Sequence, residues 1–125
     1  MKKITILCFF VALLFAACSG SDSYRGKWKA TDMQGNPISI LFDEKSFSVT
    51  ESSGKKSKFE YTQNSVNYNN GRQSYGIRLD DGRGFQIVFP DSDDETIGLI
   101  TDENGAPMFV ISRKAYLKYE DVYKL

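Results

Sequence analysis

Histidine is absent from the 125-residue chain, and cysteine occurs only as Cys8 and Cys18. Without an imidazole the usual base near neutral pH is missing, and so are the His and Cys sets that hold zinc. Charge of one sign is not in excess either, with 16 Lys and Arg against 16 Asp and Glu. Phosphate backbones require a basic surplus, so nucleic acid is not an expected partner. The one long apolar run, Ile4 to Ala17 broken only by Thr5, is shorter than the roughly 20 residues of a membrane-spanning helix. Preceded by Lys2 and Lys3, it reads as a secretory signal that is removed. Loss of those two lysines leaves 14 basic and 16 acidic side chains, a formal charge of −2. Cys8 leaves with the signal, and if Cys18 is modified no thiol remains for a disulfide or a nucleophile. The length admits one domain at most.

Leu14-Phe15-Ala16-Ala17-Cys18 resembles a bacterial lipobox, with an apolar residue three before the cysteine and two small residues ahead of it. The resemblance implies cleavage before Cys18 and acylation of that residue. Each buried methylene then contributes ~0.8 kcal/mol, so several acyl chains make an effectively permanent membrane anchor. Ser19-Gly20-Ser21-Asp22-Ser23 follows as a flexible tether by composition. Ser19 after the cysteine resembles lipoproteins sorted to the outer membrane, and the dense acidic run of surface-exported ones is absent. The expected address is the bacterial envelope, lipid-anchored in the outer membrane, on its periplasmic face rather than the cell surface. Residues 1–17 are thus read as signal, 18–24 as lipidated tether and 25–125 as the domain.

From Gly26 onward short runs alternate apolar and polar residues between clusters of Gly, Asn and Asp. Strands are expected at 26–31, 37–42, 46–50, 57–62, 65–68, 73–79, 84–89, 95–101 and 108–112. Ile38, Ile40 and Phe42 share one face with period two, as do Tyr75, Ile77 and Leu79, and Phe85, Ile87 and Phe89. Val66, Ile97 and Leu99 are counted with them as interior residues. Asn70-Gly71 and Asp81-Gly82 suit tight hairpins, whereas Gly35-Asn36-Pro37, Ser53-Gly54 and Asn104-Gly105 suit wider connections. The fold class is all-β, an antiparallel up-and-down β-barrel of about eight to nine short strands. At its end Ala115, Tyr116, Tyr119, Val122 and Tyr123 fall on one helical stripe, which predicts a short C-terminal helix packed on the sheet.

Gly26-Lys27-Trp28 at the start of the first strand, with Arg113 just after the last, resembles the lipocalin and wider calycin pattern, and the chain's small size resembles small bacterial lipocalin-like lipoproteins. That resemblance implies that Trp28 plugs the barrel and that Arg113 packs over the indole to close its bottom. It also implies a site for a small apolar or amphipathic ligand. The abundance of bulky interior side chains confines such a site to a shallow pocket at the open rim.

Catalytic groups are scarce. Asp91-Ser92-Asp93-Asp94-Glu95 lacks the glycine and distal glutamate of a calcium loop and reads as a solvated turn. Asp80-Asp81-Gly82-Arg83 reads as a hairpin turn with Arg83 offsetting its acids. No Gly-x-Ser-x-Gly turn is present, and no histidine exists to activate a serine. Neither catalysis nor a metal or other cofactor is expected. Tyr68, Tyr116, Tyr119 and Tyr123 are candidate interaction residues. The sequence therefore supports a monomeric, lipid-anchored barrel binding a small hydrophobic ligand. Its alternative is a filled barrel that docks an envelope protein or a glycan.

Overall fold

The computed structural model describes residues 22–122. The signal segment 1–17, the lipidation candidate Cys18 and the candidate interaction residue Tyr123 lie outside them. A single 3-10 turn, Asp22–Tyr24, leads into eight strands: β1 (Gly26–Asp32), β2 (Pro37–Phe42), β3 (Ser46–Glu51), β4 (Lys56–Asn69), β5 (Arg72–Leu79), β6 (Gly84–Phe89), β7 (Ile97–Asp102) and β8 (Pro107–Ser112). Each pairs antiparallel with the next, and β8 returns to β1 through Lys29 opposite Ser112 and Asp32 opposite Phe109, so the sheet closes into a barrel without edges.

The nine expected runs become eight strands because 57–62 and 65–68 belong to one strand. A bulge between Gln63 and Ser65 lets β4 continue along β5. Beyond Tyr61, β4 runs past the start of β3. Val66 lies opposite Tyr75, a core residue, yet is 56% exposed, because no third strand covers that part of the ribbon. Its expected interior position is corrected accordingly.

One end of the barrel carries four turns of a single design. In each, the residue that ends the strand donates its N–H four residues on and accepts from the glycine three residues on: Asp32 with Asn36 and Gly35, Glu51 with Lys55 and Gly54, Leu79 with Arg83 and Gly82, Asp102 with Ala106 and Gly105. The glycines have φ between 89° and 95°, the left-handed position that ends a three-residue hairpin loop. Asp81-Gly82 therefore belongs with the wider connections. Asn70-Gly71, with φ of 53° and 78°, is the tight two-residue turn, at the other end. Two of the four turns repeat the sequence Thr-Asp-x-x-Gly-x-Pro, at 31–37 and 101–107. In both, the aspartate carboxylate accepts backbone N–H bonds two and four residues on, from Gln34 and Asn36 and from Asn104 and Ala106.

The alternation of each strand puts Trp28, Ile40, Phe42, Tyr61, Tyr75, Ile77, Leu79, Ile87, Phe89, Ile100 and Ile111 in one interior cluster. Ile97 and Leu99 face outward instead. Leu99 is buried there with Val88, Val110 and Val122, and Ile97 and Leu117 pack against them. The C-terminal segment covers this outer patch, but not as the expected stripe. Only Tyr119–Val122 (α1) is helical, while Ala115, Tyr116 and Tyr119 are exposed. The Ser112 hydroxyl accepts the N–H groups of Lys114 and Ala115 just after β8. Asp121 accepts from the Lys118 N–H and so caps the single turn that does form.

Candidate functional site

The two ends of the barrel interior differ. At the end where the 3-10 turn enters, Tyr24 inserts beneath the sheet, with ring centroids 5.5 Å from Phe42, 5.2 Å from Tyr75 and 6.4 Å from Tyr61. Its hydroxyl donates to Gln63 Oε1 at 2.6 Å, and that of Tyr61 donates to the Asp43 carbonyl at 2.6 Å. Burial is the largest cause raising both phenol pKa values. The Trp28 indole N–H donates to the Tyr24 carbonyl at 2.8 Å, which ties the incoming turn to β1. Arg113 lies flat on the other side of that indole, its guanidinium carbon 3.6 Å from the ring centroid. Its N–H groups donate to the carbonyls of Lys27 at 2.9 Å, Ser23 at 3.2 Å and Arg25 at 2.6 Å. Trp28 and Arg113, chosen from sequence, are thus in direct contact. Burial lowers the pKa of Arg113, yet three carbonyls and a π face surround its charge.

At the end bearing the four alike turns, the interior opens as a cup of about 340 Å³. Its apolar lining is Ile38, Ile40, Phe42, Phe47, Val49, Phe59, Ile77, Leu79, Phe85, Ile100, Met108 and Phe109. Ile38, Phe47, Val49, Phe59, Phe85 and Phe109 are only partly buried. Glu51, Lys55 and Arg83 stand at the mouth. Arg83 reaches over the rings of Phe59 and Phe85, at 5.4 and 5.9 Å from their centroids. Asp81 fixes it with bonds of 3.0 Å from Nε and 2.8 Å from Nη2. That pairing, led by the side-chain hydrogen bonds, holds the Asp81 carboxyl below the usual range.

Arg83 offsets the acids of its turn, as its neighbours in sequence suggest, but its stacking at the mouth was missed. The signal was available: Arg83 ends the turn that leads into β6 and lies two residues before Phe85, a spacing that puts the two side chains on one side of the extended chain. The tyrosines do not gather. Tyr68 is 66% exposed on the part of β4 beyond β3, Tyr116 is 48% exposed beside Lys29 of β1, and Tyr119 sits in α1 at 38%. Among the described residues no group of three or more His, Cys, Asp or Glu is placed to hold a metal ion. The 91–95 segment is a turn in which Asp91 accepts from the Asp93 N–H and Asp94 from Thr96. An eight-stranded antiparallel closed barrel is compatible with the calycin type of fold. Comparison with protein-family models, curated proteins and solved structures finds no match.

Proposed function

We propose that this chain is a lipid-anchored protein of the bacterial envelope whose barrel holds one small apolar or amphipathic molecule in its open cup, without catalysis. The cup carries the reading. Its volume lies at the lower end of the range of ligand pockets, its wall is mainly apolar, and its charged groups, Glu51, Lys55 and Arg83, lie at the open-end turns. Such a site extracts an apolar body from water by burial and leaves a polar end at the rim. In this reading Trp28 and Arg113 close the far end, so the ligand enters and leaves past Arg83. Anchoring through Cys18 rests on the lipobox and places the barrel at the periplasmic face of the outer membrane.

Native mass spectrometry of the purified protein, with extraction of any released molecule, tests the ligand. A stoichiometric adduct lost on unfolding is expected, and it should disappear in Val49→Phe, which fills the cup. An adduct retained by that variant overturns the assignment to this cup. For the address, Cys18→Ser should move the protein to the soluble fraction, and retention in the membrane overturns the lipobox reading.

A second reading, docking of a protein partner, rests on Val66 and Tyr68. They share a face of β4 and are 56% and 66% exposed. Tyr68→Ala would leave the mass-spectrometric adduct intact while releasing such a partner.

A further inference from the structure

The outer surface of the first four strands carries a second feature, independent of the cup. Pairing sets two rows across the sheet: Lys27, Leu41, Ser48 and Lys58 in one, Lys29, Ser39, Thr50 and Lys56 in the other. Residues directly opposite share a face, and the alternate positions Trp28 and Ile40 belong to the interior cluster, so both rows point outward. Each row begins and ends with lysine and has hydroxyls or Leu41 between. With strands about 4.8 Å apart, the lysines of a row stand roughly 14 Å apart, and the two rows about 7 Å apart.

This face is concave. A groove of about 520 Å³ runs over it, with Lys27, Lys29, Lys56 and Arg113 around a floor that includes Ser39 and Thr50. Tyr116 forms one wall, held where Lys29 Nζ lies 5.7 Å from its ring centroid and bonds the Lys114 carbonyl at 3.3 Å. No carboxylate lines the groove. The nearest along β4, Glu60, pairs with Ser46 beyond the Lys58 row. The ion pairs Arg78–Glu103 and Arg83–Asp81 lie on other parts of the surface. Four cations thus share a groove without a lining carboxylate, on a chain whose formal net charge is zero.

We propose that this groove binds an acidic oligosaccharide, one whose sugars carry carboxylate or sulfate groups. Lysines and Arg113 supply the charge, and the serine and threonine hydroxyls, which both donate and accept, match sugar hydroxyls. Tyr116 offers an amphipathic ring to the face of a sugar. A concave, narrow site admits a chain and keeps its floor from a flat bilayer surface. A phosphate backbone would use donors only, and the hydroxyl floor would add nothing specific to it.

The full chain in nonionic detergent, titrated calorimetrically with an oligogalacturonate, is expected to show saturable binding that weakens as salt is raised. A maltooligosaccharide of equal length, neutral, should not bind. Lys29→Gln with Lys56→Gln should lower affinity about tenfold or more, and Tyr116→Ala by roughly threefold to tenfold. These side chains lie on the surface, and an unchanged melting temperature verifies that the variants fold. No binding, equal binding of the neutral sugar, or no loss in the double variant overturns the proposal. Binding to phosphatidylglycerol vesicles without binding to the oligogalacturonate overturns it in favour of a lipid surface.

Discussion

At the closed end of the barrel Tyr24, Phe42, Tyr61, Tyr75, Trp28 and Phe89 pack ring to ring, and the hydroxyls of Tyr24 and Tyr61 and the indole N–H each have a partner. At the open end Phe59, Phe85 and Phe109, all partly buried, line the cup. Both ends use the same alternation on the same strands. What separates them is a plug from outside the sheet. The chain before β1 folds inward at Tyr24 and is pinned by Trp28 and Arg113, whereas each turn at the open end is a three-residue loop too short to fold back into the interior.

Mutations at the two ends should therefore cost unequally. Trp28→Ala removes the largest closed-end side chain and should destabilise by about 3–5 kcal/mol, read as a lower urea midpoint. Gly98→Ala probes the tightness of that end, because a Cβ there would stand 2.9 Å from the Val88 carbonyl oxygen and 3.1 Å from the Phe89 ring. Overpacking of this kind should cost about 1–3 kcal/mol. Phe59→Ala, at the open end, loses only a partly buried ring and should cost about 1 kcal/mol while enlarging the cup. Equal losses for Trp28→Ala and Phe59→Ala would break the comparison.

The smallest effect at ordinary pH comes from the closed-end phenols. Their folded pKa values are raised above the ordinary value of 10.0. The unfolded chain therefore gives up these protons first as pH rises, and the stability they contribute is complete below about pH 10 and lost above it. A melting temperature that is flat in this range and falls on the alkaline side is expected, and the fall should shrink in Tyr24→Phe.

Much of this architecture was legible in sequence because hairpin chemistry is local. Asn70-Gly71 announces its turn, and Ile38, Ile40 and Phe42 announce their face, whatever the rest of the chain does. Errors arose where a distant segment decides burial. Val66 has the period of an inward residue but lacks a third strand above it, and Leu99 lies on a strand buried on both faces, so alternation says nothing there. The terminal stripe failed because the segment's burial is set by the outer patch it covers, where only Leu117 and Val122 pack, and not by a continuous helical face. Trp28 and Arg113 could be chosen in advance from a motif, but their contact spans 85 residues and only the closed ring brings it about. The cup was least legible of all, since residue counts give total side-chain volume and not which end Tyr24 occupies.

The seam between β1 and β8 has a consequence for how this molecule is made. Every other strand pairs with its neighbour in sequence, so those hairpins need close only short loops and can form early. The seam joins Asp32 to Phe109, and Arg113 then fastens the carbonyls of Ser23, Arg25 and Lys27. Until the last strand is available the sheet is an open ribbon with two unpaired edges, and such edges invite pairing with another copy. Completion of β8 thus governs whether those two edges close on each other within one chain or stay open to a second copy.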